Sequence, residues 1–525
     1  MPTLKPYQEQ FCRERIEATL RNGQANWDNL SVGLFSDMGT GKTPAAVMLV
    51  EWVRQVLRVR HAQEANWPVL IVCQATIKWN WESEINKFAP WVKDILIIDG
   101  TAAEREEQLR RLPTVEYAIV NYETVRIHQE ELQAFPHFLS IIVDEAHAIK
   151  NRKAKRTVAV KSLDARFRLA LTGTPITNKP DDLWSTLHFL YPGEEFYRKG
   201  KRYRGASPTW GSYWSFTSEY CEWEKGYFGN KITGGKNLKE LHAKLESTGS
   251  MVRWRRDEVL SLEPIIYKYI VLDAGPEQAQ LYGQLSQGFA HYIEETGKIS
   301  RKTIRTILAQ LTYFRRATTL TPREFALALG GQNPEFAPDI SVPISDYGAK
   351  QEWLLSFLDN NLDGQKALIF SDWTGCTKPL VKRLNKAKIK TVCIDGSTPH
   401  QERFEIQKQF NEDDSVQVFV GSPAAYEGLN LQAATFVVFM NLPWRPKDIF
   451  QAYSRAHRMG QEGQVTVVFP LMRGTIDEKM AKRLHHKQVD IDKAIDNGEV
   501  NAAKLFEITS KEEVLDMVGD KSWLR

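Results

Sequence analysis

The chain has little of what characterises secreted, disulfide-stabilised or membrane-spanning proteins. Its 525 residues include five cysteines, which lie far apart and form none of the close Cys-x-x-Cys pairs of a zinc site. No run approaches the ~18 apolar residues that a membrane helix needs, and the first residues lack the apolar core of a signal peptide. We therefore expect a soluble intracellular protein with separate, reduced thiols.

A strong charge of either sign and low-complexity tracts are also missing. The chain carries 69 Lys and Arg against 65 Asp and Glu, which gives a formal net charge of +4. This small excess is compatible with a polyanionic partner but does not indicate one. Hydrophobic residues make up 42% and charged residues 26%, as in ordinary globular proteins. The length predicts about three or four domain-sized units.

Short apolar runs separated by helix-like stretches occur in two parts of the chain. Continuous apolar strands of this kind are typical of parallel sheets that helices cover on both faces. The predicted fold class is therefore α/β, with two parallel-sheet lobes and helical insertions between them. The predicted strands are 69–73, 95–99, 117–120, 141–144, 168–171, 367–371, 391–394, 416–421, 436–441 and 465–469.

The same patterns predict the domain organisation. The two lobes are expected at 1–195 and 346–490. The segment 196–345 is predicted as a helical insertion and linker, and its first part is aromatic and basic without strand alternation. The remainder, 491–525, is predicted as a helical tail.

A glycine-bearing loop lies between a predicted strand that ends at Ser36 and a predicted helix that begins at Pro44. Its sequence is Asp37-Met38-Gly39-Thr40-Gly41-Lys42-Thr43. The glycines would let backbone N–H groups approach phosphate oxygens, and the helix N-terminus adds partial positive charge. Lys42 is predicted to reach the β- and γ-phosphates and Thr43 to bind Mg²⁺. Ser36 occupies the first position of this pattern, where glycine is usual.

An acidic pair, Asp144 and Glu145, follows the apolar predicted strand 141–144. Asp144 is predicted to hold Mg²⁺, and Glu145 to orient or activate the attacking water. Acidic residues after a strand are also common at helix N-caps. The phosphate loop upstream favours the catalytic interpretation.

Asp144-Glu145-Ala146-His147 followed by Ala148-Ile149-Lys150-Asn151 resembles the Swi/Snf-type branch of the superfamily 2 helicase-like ATPases. Further segments match that family in order: 5–8, 69–82, 121–123, 171–175, 368–372, 395–397, 427–431 and 451–461. Gln74 and Asn441 depart from it, where Pro and Asp are usual. A weaker match to the annealing-helicase and fork-remodelling branch covers 216–221, 234–242 and 252–260.

The resemblance implies two RecA-like lobes, ATP and Mg²⁺ as cofactors, and ATP hydrolysis coupled to movement on duplex DNA. The implied catalytic residues are Lys42, Asp144, Glu145, Arg455 and Arg458. The implied nucleotide-binding residues are Gln8, Met38, Gly39, Thr40, Gly41, Lys42, Thr43 and Asp144, with Mg²⁺ on Thr43 and Asp144. The two arginines are expected on a helix over 451–461, from which they would stabilise charge on the γ-phosphoryl group of ATP bound by the first lobe.

Contacts with DNA are expected mostly at phosphates, because a translocase must move across any sequence. The candidates are Lys78, Trp79, Lys150, Arg152, Thr172 and Arg403. The basic and aromatic segment that starts at Arg198 is interpreted either as a protrusion that contacts DNA or wedges a junction, or as the small core of the insertion. The second interpretation is favoured.

Two alternatives stay open. One is a strand-unwinding helicase that acts on RNA or single-stranded nucleic acid, and the residues 148–151 and 458–461 argue against it. The other is a DNA-binding scaffold that uses ATP as a switch, and the intact catalytic set disfavours it. The expected partner is double-stranded or forked DNA, with no membrane, and the expected state is a monomer. The expected location is the cytoplasm or nucleoid, or the nucleus in a eukaryote.

Overall fold

The computed structural model describes residues 3–20, 26–135, 137–173, 175–176, 180–198, 201–226, 229–296, 301–426, 428–444 and 446–482. Within this part of the chain, unit 1 ends at Ser261 and unit 2 begins at Leu262. The predicted tail 491–525 lies outside the described residues. Among the described residues, every helix is too short or too polar to span a bilayer.

Unit 1 is built on a seven-stranded parallel sheet. Its helices are α1 (Pro6–Leu20), α2 (Lys42–Arg60), α3 (Ala62–Ala65), α4 (Lys78–Phe88), α5 (Ala102–Arg110), α6 (Tyr122–Ile127), α7 (Gln129–Ala134), α8 (Lys155–Lys161), α9 (Asp181–Leu190), α10 (Tyr213–Tyr220), α11 (Leu238–Ser247) and α12 (Arg256–Val259). Its strands are β1 (Val32–Leu34), β2 (Val69–Cys73), β3 (Ile95–Ile97), β4 (Tyr117–Asn121), β5 (Phe138–Asp144), β6 (Ala165–Leu171), β7 (Glu195–Arg198), β8 (Lys201–Arg204), β9 (Cys221–Gly226), β10 (Gly229–Gly235) and β11 (Met251–Val252). The sheet order is β11-β1-β6-β5-β2-β4-β3.

The strand β2 shows why this sheet is apolar throughout. Leu70 and Val72 pack into the hydrophobic core on one face, and Val69, Ile71 and Cys73 pack into the core on the other. Successive side chains of a strand point to opposite faces. An uninterrupted apolar sequence is therefore what a strand needs when helices cover both faces of its sheet.

Unit 2 contains a second parallel sheet, of six strands in the order β12-β17-β16-β13-β15-β14. Its helices are α13 (Pro276–Thr296), α14 (Arg301–Thr319), α15 (Pro322–Leu329), α16 (Ala349–Asn361), α17 (Thr374–Lys386), α18 (His400–Glu412) and α19 (Pro446–Tyr453). Its strands are β12 (Ile266–Leu272), β13 (Lys366–Phe370), β14 (Thr391–Ile394), β15 (Val418–Gly421), β16 (Ala434–Phe439) and β17 (Thr466–Met472). The predicted α/β class with two parallel-sheet lobes is confirmed.

The segment predicted as one helical insertion, 196–345, is divided between the two units. Its strand β11 extends the sheet of unit 1 beside β1, and β12 extends the sheet of unit 2 beside β17. The strand pairs β7-β8 and β9-β10 form two antiparallel hairpins. The sequence patterns did not predict β11 and β12. The strand β11 is only two residues long, and β12 has exposed tyrosines at Tyr267 and Tyr269.

Candidate active site

The predicted phosphate loop lies between β1 and α2, at the carboxyl end of β1, where parallel sheets usually bind ligands. Gly39 and Gly41 have φ values of 82° and 75°, which strain any residue that carries a Cβ. The helix α2 begins at Lys42, so its first N–H groups are available at the loop. The sequence prediction of a glycine-dependent loop is therefore matched by the backbone.

The side chain of Lys42 is held against this loop. Its ammonium group donates hydrogen bonds to the carbonyl oxygens of Ser36 and Asp37, at 2.8 and 2.9 Å. The hydroxyl of the buried Thr40 donates to the same Asp37 carbonyl, at 2.8 Å. Thr43, in the first turn of α2, is half-buried. The loop thus combines one cation, one partly accessible hydroxyl and the amides of a helix start.

The N-terminal helix α1 is bonded directly to the loop. The side-chain nitrogen of the buried Gln8 donates to the carbonyl oxygens of Thr40 and Gly41, both at 3.1 Å. Its side-chain oxygen accepts from the backbone N–H of Lys5. The hydroxyl of Tyr7 also donates to the Thr40 carbonyl, at 2.9 Å. These bonds show how Gln8 supports the loop, and its predicted contact with adenine stays a prediction.

A distant segment supports the loop from another side. The Ser36 hydroxyl accepts a hydrogen bond from the backbone of Trp254, at 2.8 Å. The backbone N–H of Arg256 donates to the Asp37 carboxylate, and its guanidinium group donates to the Met38 carbonyl at 2.7 Å. One signal of these contacts is visible in the sequence, the serine at a position where glycine is usual, but nothing local identified its partners.

Asp144 ends β5 and is held by three donors. The indole N–H of Trp81 donates to Asp144 Oδ2 at 2.9 Å, and the backbone of Glu145 donates to Oδ1 at 2.8 Å. The Tyr122 hydroxyl donates to the Asp144 carbonyl oxygen. Burial, followed by the nearby charge of Glu145, raises the pKa of Asp144 to about 6, against the opposing effects of Trp81 and Lys42. A bound cation would favour the charged form of such a carboxylate.

The backbone turns sharply at Glu145. This residue has φ 51° and ψ 54°, a left-handed conformation that costs a non-glycine residue about 1–2 kcal/mol. Its carboxylate lies 3.1 Å from Nδ1 of His147. Strain of this kind is concentrated at functional sites, which agrees with the predicted role of Glu145.

The oxygen donors at this site fit Mg²⁺. A hydroxyl from Thr43 and a carboxylate from Asp144 are hard ligands, and Mg²⁺ is commonly held by one or two carboxylates together with substrate phosphates. Among the described residues, no group of three or more His, Cys, Asp or Glu side chains could hold a metal by itself. The donor set therefore suits an ion that is bound together with a nucleotide.

Arg455 and Arg458 lie in unit 2 and share a partner. Both guanidinium groups donate to the carbonyl oxygen of Leu429, at 3.1 and 3.2 Å. The helix predicted over 451–461 is wrong beyond Tyr453, where α19 ends. Turns follow, in which the backbone N–H groups of Arg455 and Ala456 donate to carbonyl oxygens three residues earlier, and the Arg455 carbonyl accepts from the backbone of Leu431 at 2.9 Å. The two arginines are nevertheless brought together, as predicted.

Three of the predicted DNA contacts are buried within their own units. Lys78 has no exposed surface and pairs with Asp99 at 2.8 Å. Thr172 is 1% exposed, and Arg403 is 5% exposed and donates to the carbonyl oxygens of Thr398 and Asp395. Residue type and family position suggested surface contacts, but all three side chains are buried, and internal partners occupy those of Lys78 and Arg403. The structure does not present these three to a polymer.

The other predicted contacts retain accessible surface. Trp79, Lys150 and Arg152 are partly exposed. The Lys150 ammonium lies 3.9 Å from an oxygen of Asp182, and the Arg152 guanidinium lies 4.1 Å from the centre of the Tyr213 ring. These three stay predictions.

The aromatic segment after Arg198 contributes to the core of unit 1. Trp210, Phe216 and Tyr220 are buried in the same hydrophobic cluster as Trp184. By contrast, Trp214 is 65% exposed. Residues 227 and 228 of the predicted segment lie outside the described residues. The favoured interpretation, an aromatic core for the insertion, accounts for the buried members.

The departure at Asn441 is absorbed by its surroundings in unit 2. The Asn441 side-chain oxygen accepts hydrogen bonds from the Ser371 hydroxyl, at 3.1 Å, and from the Asp372 backbone, at 2.9 Å. An aspartate oxygen could accept the same two bonds. The substitution therefore preserves the hydrogen bonds that order the carboxyl end of β13.

Comparison with known proteins adds information on relatives. A family model described as "SNF2-related domain" matches residues 22–321, and one described as "Helicase conserved C-terminal domain" matches residues 349–460. Similar proteins include the "DNA annealing helicase and endonuclease ZRANB3" of Mus musculus, with 26% identity over 86% of this chain. The "TATA-binding protein-associated factor MOT1" of Saccharomyces cerevisiae is 29% identical over 89% of this chain.

These relatives are much longer. The chain spans 38% of the mouse protein and 27% of the yeast protein. Among solved structures, the "Sulfolobus solfataricus SWI2/SNF2 ATPase core in complex with dsDNA" is 25% identical, with a TM-score of 0.41 and coverage of 98% of this chain and 96% of that one.

Proposed function

Because the chain belongs to the SNF2-related family, we propose that it is a DNA-stimulated ATPase that uses ATP hydrolysis to move along or remodel double-stranded or forked DNA. The observation that carries the proposal is the carboxylate of Asp144, held by hydrogen bonds and close enough to Lys42 for the ammonium to lower its pKa. Burial and Glu145 disfavour the charged form of Asp144, and Lys42 only partly offsets them, so the pKa is raised. A metal ion bound with the nucleotide would supply the positive charge that stabilises the charged form.

Each residue of the site has its own proposed role. The amides at the start of α2 and Lys42 bind the phosphates. Thr43 and Asp144 would hold Mg²⁺, which neutralises phosphate charge when bound. Glu145 orients the attacking water, and Arg455 and Arg458 stabilise the charge that develops on the γ-phosphoryl group. Gln8 keeps the loop in place from α1.

DNA is proposed as the polymer because the mouse relative is named a DNA annealing helicase and endonuclease. The mouse relative is named an annealing helicase, so fork remodelling or strand annealing is the finer form of the proposal. The partly exposed Trp79, Lys150 and Arg152 are the proposed contacts in unit 1. Sequence-independent binding through phosphates should weaken steeply with salt.

The proposal is tested by ATPase measurements with duplex DNA, single-stranded DNA, forked DNA and RNA. Duplex or forked DNA should stimulate hydrolysis most. Lys42→Ala should remove the activity, and Arg458→Ala should lower kcat by roughly 10³-fold. Wild-type turnover by Lys42→Ala would contradict the assignment of the site. Strand displacement on tailed duplexes, with stimulation by RNA or single strands, would favour the unwinding helicase instead.

A further inference from the structure

Two of the segments that match the family, 69–82 and 121–123, each contribute one buried side chain that donates to Asp144. Trp81 lies in α4, and its indole N–H donates to the Asp144 carboxylate at 2.9 Å. Tyr122 is the first residue of α6, and its hydroxyl donates to the Asp144 carbonyl oxygen. Their exposed fractions are 2% and 7%. The two donors therefore act inside the protein and are unsuited to direct contact with DNA.

The elements that carry these donors also reach the surface. In α4, the partly exposed Trp79 lies in the same turn as Trp81. In α6, Tyr122 is followed by the exposed Glu123, and the side chain of Asn121 fixes the helix start by accepting from the backbone of Thr124 at 2.9 Å. A short helix moves largely as a unit, so a shift caused at its surface would be felt by its buried donor.

We propose that Trp81 and Tyr122 are positioning residues for the Asp144 carboxylate, and that Trp81 couples DNA contact at Trp79 on α4 to its geometry. Trp81 sets the direction of Oδ2, and Tyr122 fixes the backbone at the end of β5, immediately before the strained Glu145. DNA would thereby promote hydrolysis by ordering the oxygen that holds Mg²⁺. This inference rests on the proposed function, because it assumes a DNA-stimulated ATPase.

The protein contains its own control for this arrangement. Glu51, in α2, accepts hydrogen bonds from an indole and a phenol as well: Trp91 donates at 2.8 Å and Tyr117 at 2.8 Å. Glu51 has no role in the proposed site. Removing the indole of Trp91 or the hydroxyl of Tyr117 therefore shows how far the loss of such a donor lowers the stability of unit 1 away from Asp144.

The experiment compares four variants of the full chain: Trp81→Phe, Tyr122→Phe, Trp91→Phe and Tyr117→Phe. For each, ATPase rates are measured with and without duplex DNA across a Mg²⁺ titration, together with binding of a fluorescent ATP analogue and the urea midpoint. Partners that hydrogen-bond to a metal ligand typically change metal affinity or activity 10–100-fold when removed. We expect Trp81→Phe to raise the Mg²⁺ concentration for half-maximal activity about tenfold and to reduce the stimulation by DNA, with unchanged analogue binding.

Tyr122→Phe should raise the Mg²⁺ requirement less than Trp81→Phe does, because it acts through the backbone, and should leave the stimulation by DNA closer to that of the wild type. Trp91→Phe and Tyr117→Phe should change the urea midpoint only. The inference is overturned if Trp81→Phe and Tyr122→Phe match their controls in Mg²⁺ requirement and DNA stimulation. It is also overturned if all four variants lose stimulation in proportion to their loss of stability. If the wild-type protein hydrolyses no ATP, or is not stimulated by DNA, the proposed function itself fails.

Discussion

Two carboxylates of unit 1, Glu51 and Asp144, are held by similar donors and differ in the charges around them. Each accepts a hydrogen bond from an indole N–H, and each residue also receives a tyrosine hydroxyl. At Glu51 the Arg54 guanidinium lies 3.0 Å away, and both side chains are almost fully buried. That carboxylate is neutralised within the protein, so it contributes to structure.

Asp144 is in the opposite electrostatic situation. The nearby charge of Glu145 adds to the effect of burial in raising its pKa, and the charge of Lys42 only partly offsets them. The ammonium group of Lys42 is itself bonded to the loop carbonyls. Hydrogen bonds alone therefore do not distinguish a structural carboxylate from a candidate catalytic one, whereas the charges around the carboxylate do.

The largest expected effect is on catalysis. Asp144→Asn keeps the size of the side chain but removes the charge that would hold Mg²⁺, so kcat for ATP hydrolysis should fall by about 10³-fold. Glu51→Gln should retain near-normal kcat when assayed at a temperature where circular dichroism shows it to be folded. Comparable kcat losses in the two variants would break the distinction between the two carboxylates.

The second effect is on stability, and its order is reversed. Glu51→Gln removes the nearer carboxylate partner of the buried Arg54 and leaves it only Glu116, at 3.8 Å, so it should lower the free energy of unfolding by about 3 kcal/mol. Asp144→Asn removes a poorly compensated charge and should leave that free energy unchanged or slightly higher at pH 8. Urea titrations of both variants measure the difference. A less stable Asp144→Asn beside an unaffected Glu51→Gln would contradict the electrostatic argument.

The smallest effect concerns pH. The pKa of Asp144 in the folded protein is about 6, above its ordinary value of 3.8. Between these values the folded state binds more protons than the unfolded state, so the stability contribution of Asp144 falls as pH rises through this window. The wild type should therefore lose on the order of 1 kcal/mol relative to Asp144→Asn between about pH 4 and pH 7. Parallel stability curves for the two proteins would refute this reading.

Several elements could be predicted from the sequence because their signals are local. The strands at 69–73 and 391–394 follow from apolar runs, and the phosphate loop follows from the glycines before Lys42. The helix predicted over 451–461 is wrong beyond Tyr453, where turns follow and a tertiary bond from the backbone of Leu431 to the Arg455 carbonyl stands in place of a helical one. Surface roles predicted for Lys78 and Arg403 were not supported, because a single sequence does not show which lysines and arginines find internal partners.

The two parallel-sheet lobes, the phosphate loop and the acidic pair can be read from the sequence, because they depend on apolar periodicity, on glycine backbone freedom and on adjacent residues. The tertiary structure alone decided which side chains act on them. Arg256 reaches Met38 across 218 positions, and Trp81 reaches Asp144 across 63. Such bonds leave no periodic trace along the chain, since they form only when separate strands and helices are brought side by side. The same packing pairs Glu51 with Arg54. It also gives Asp144 surroundings that raise its pKa, so that a bound cation would stabilise its charged form.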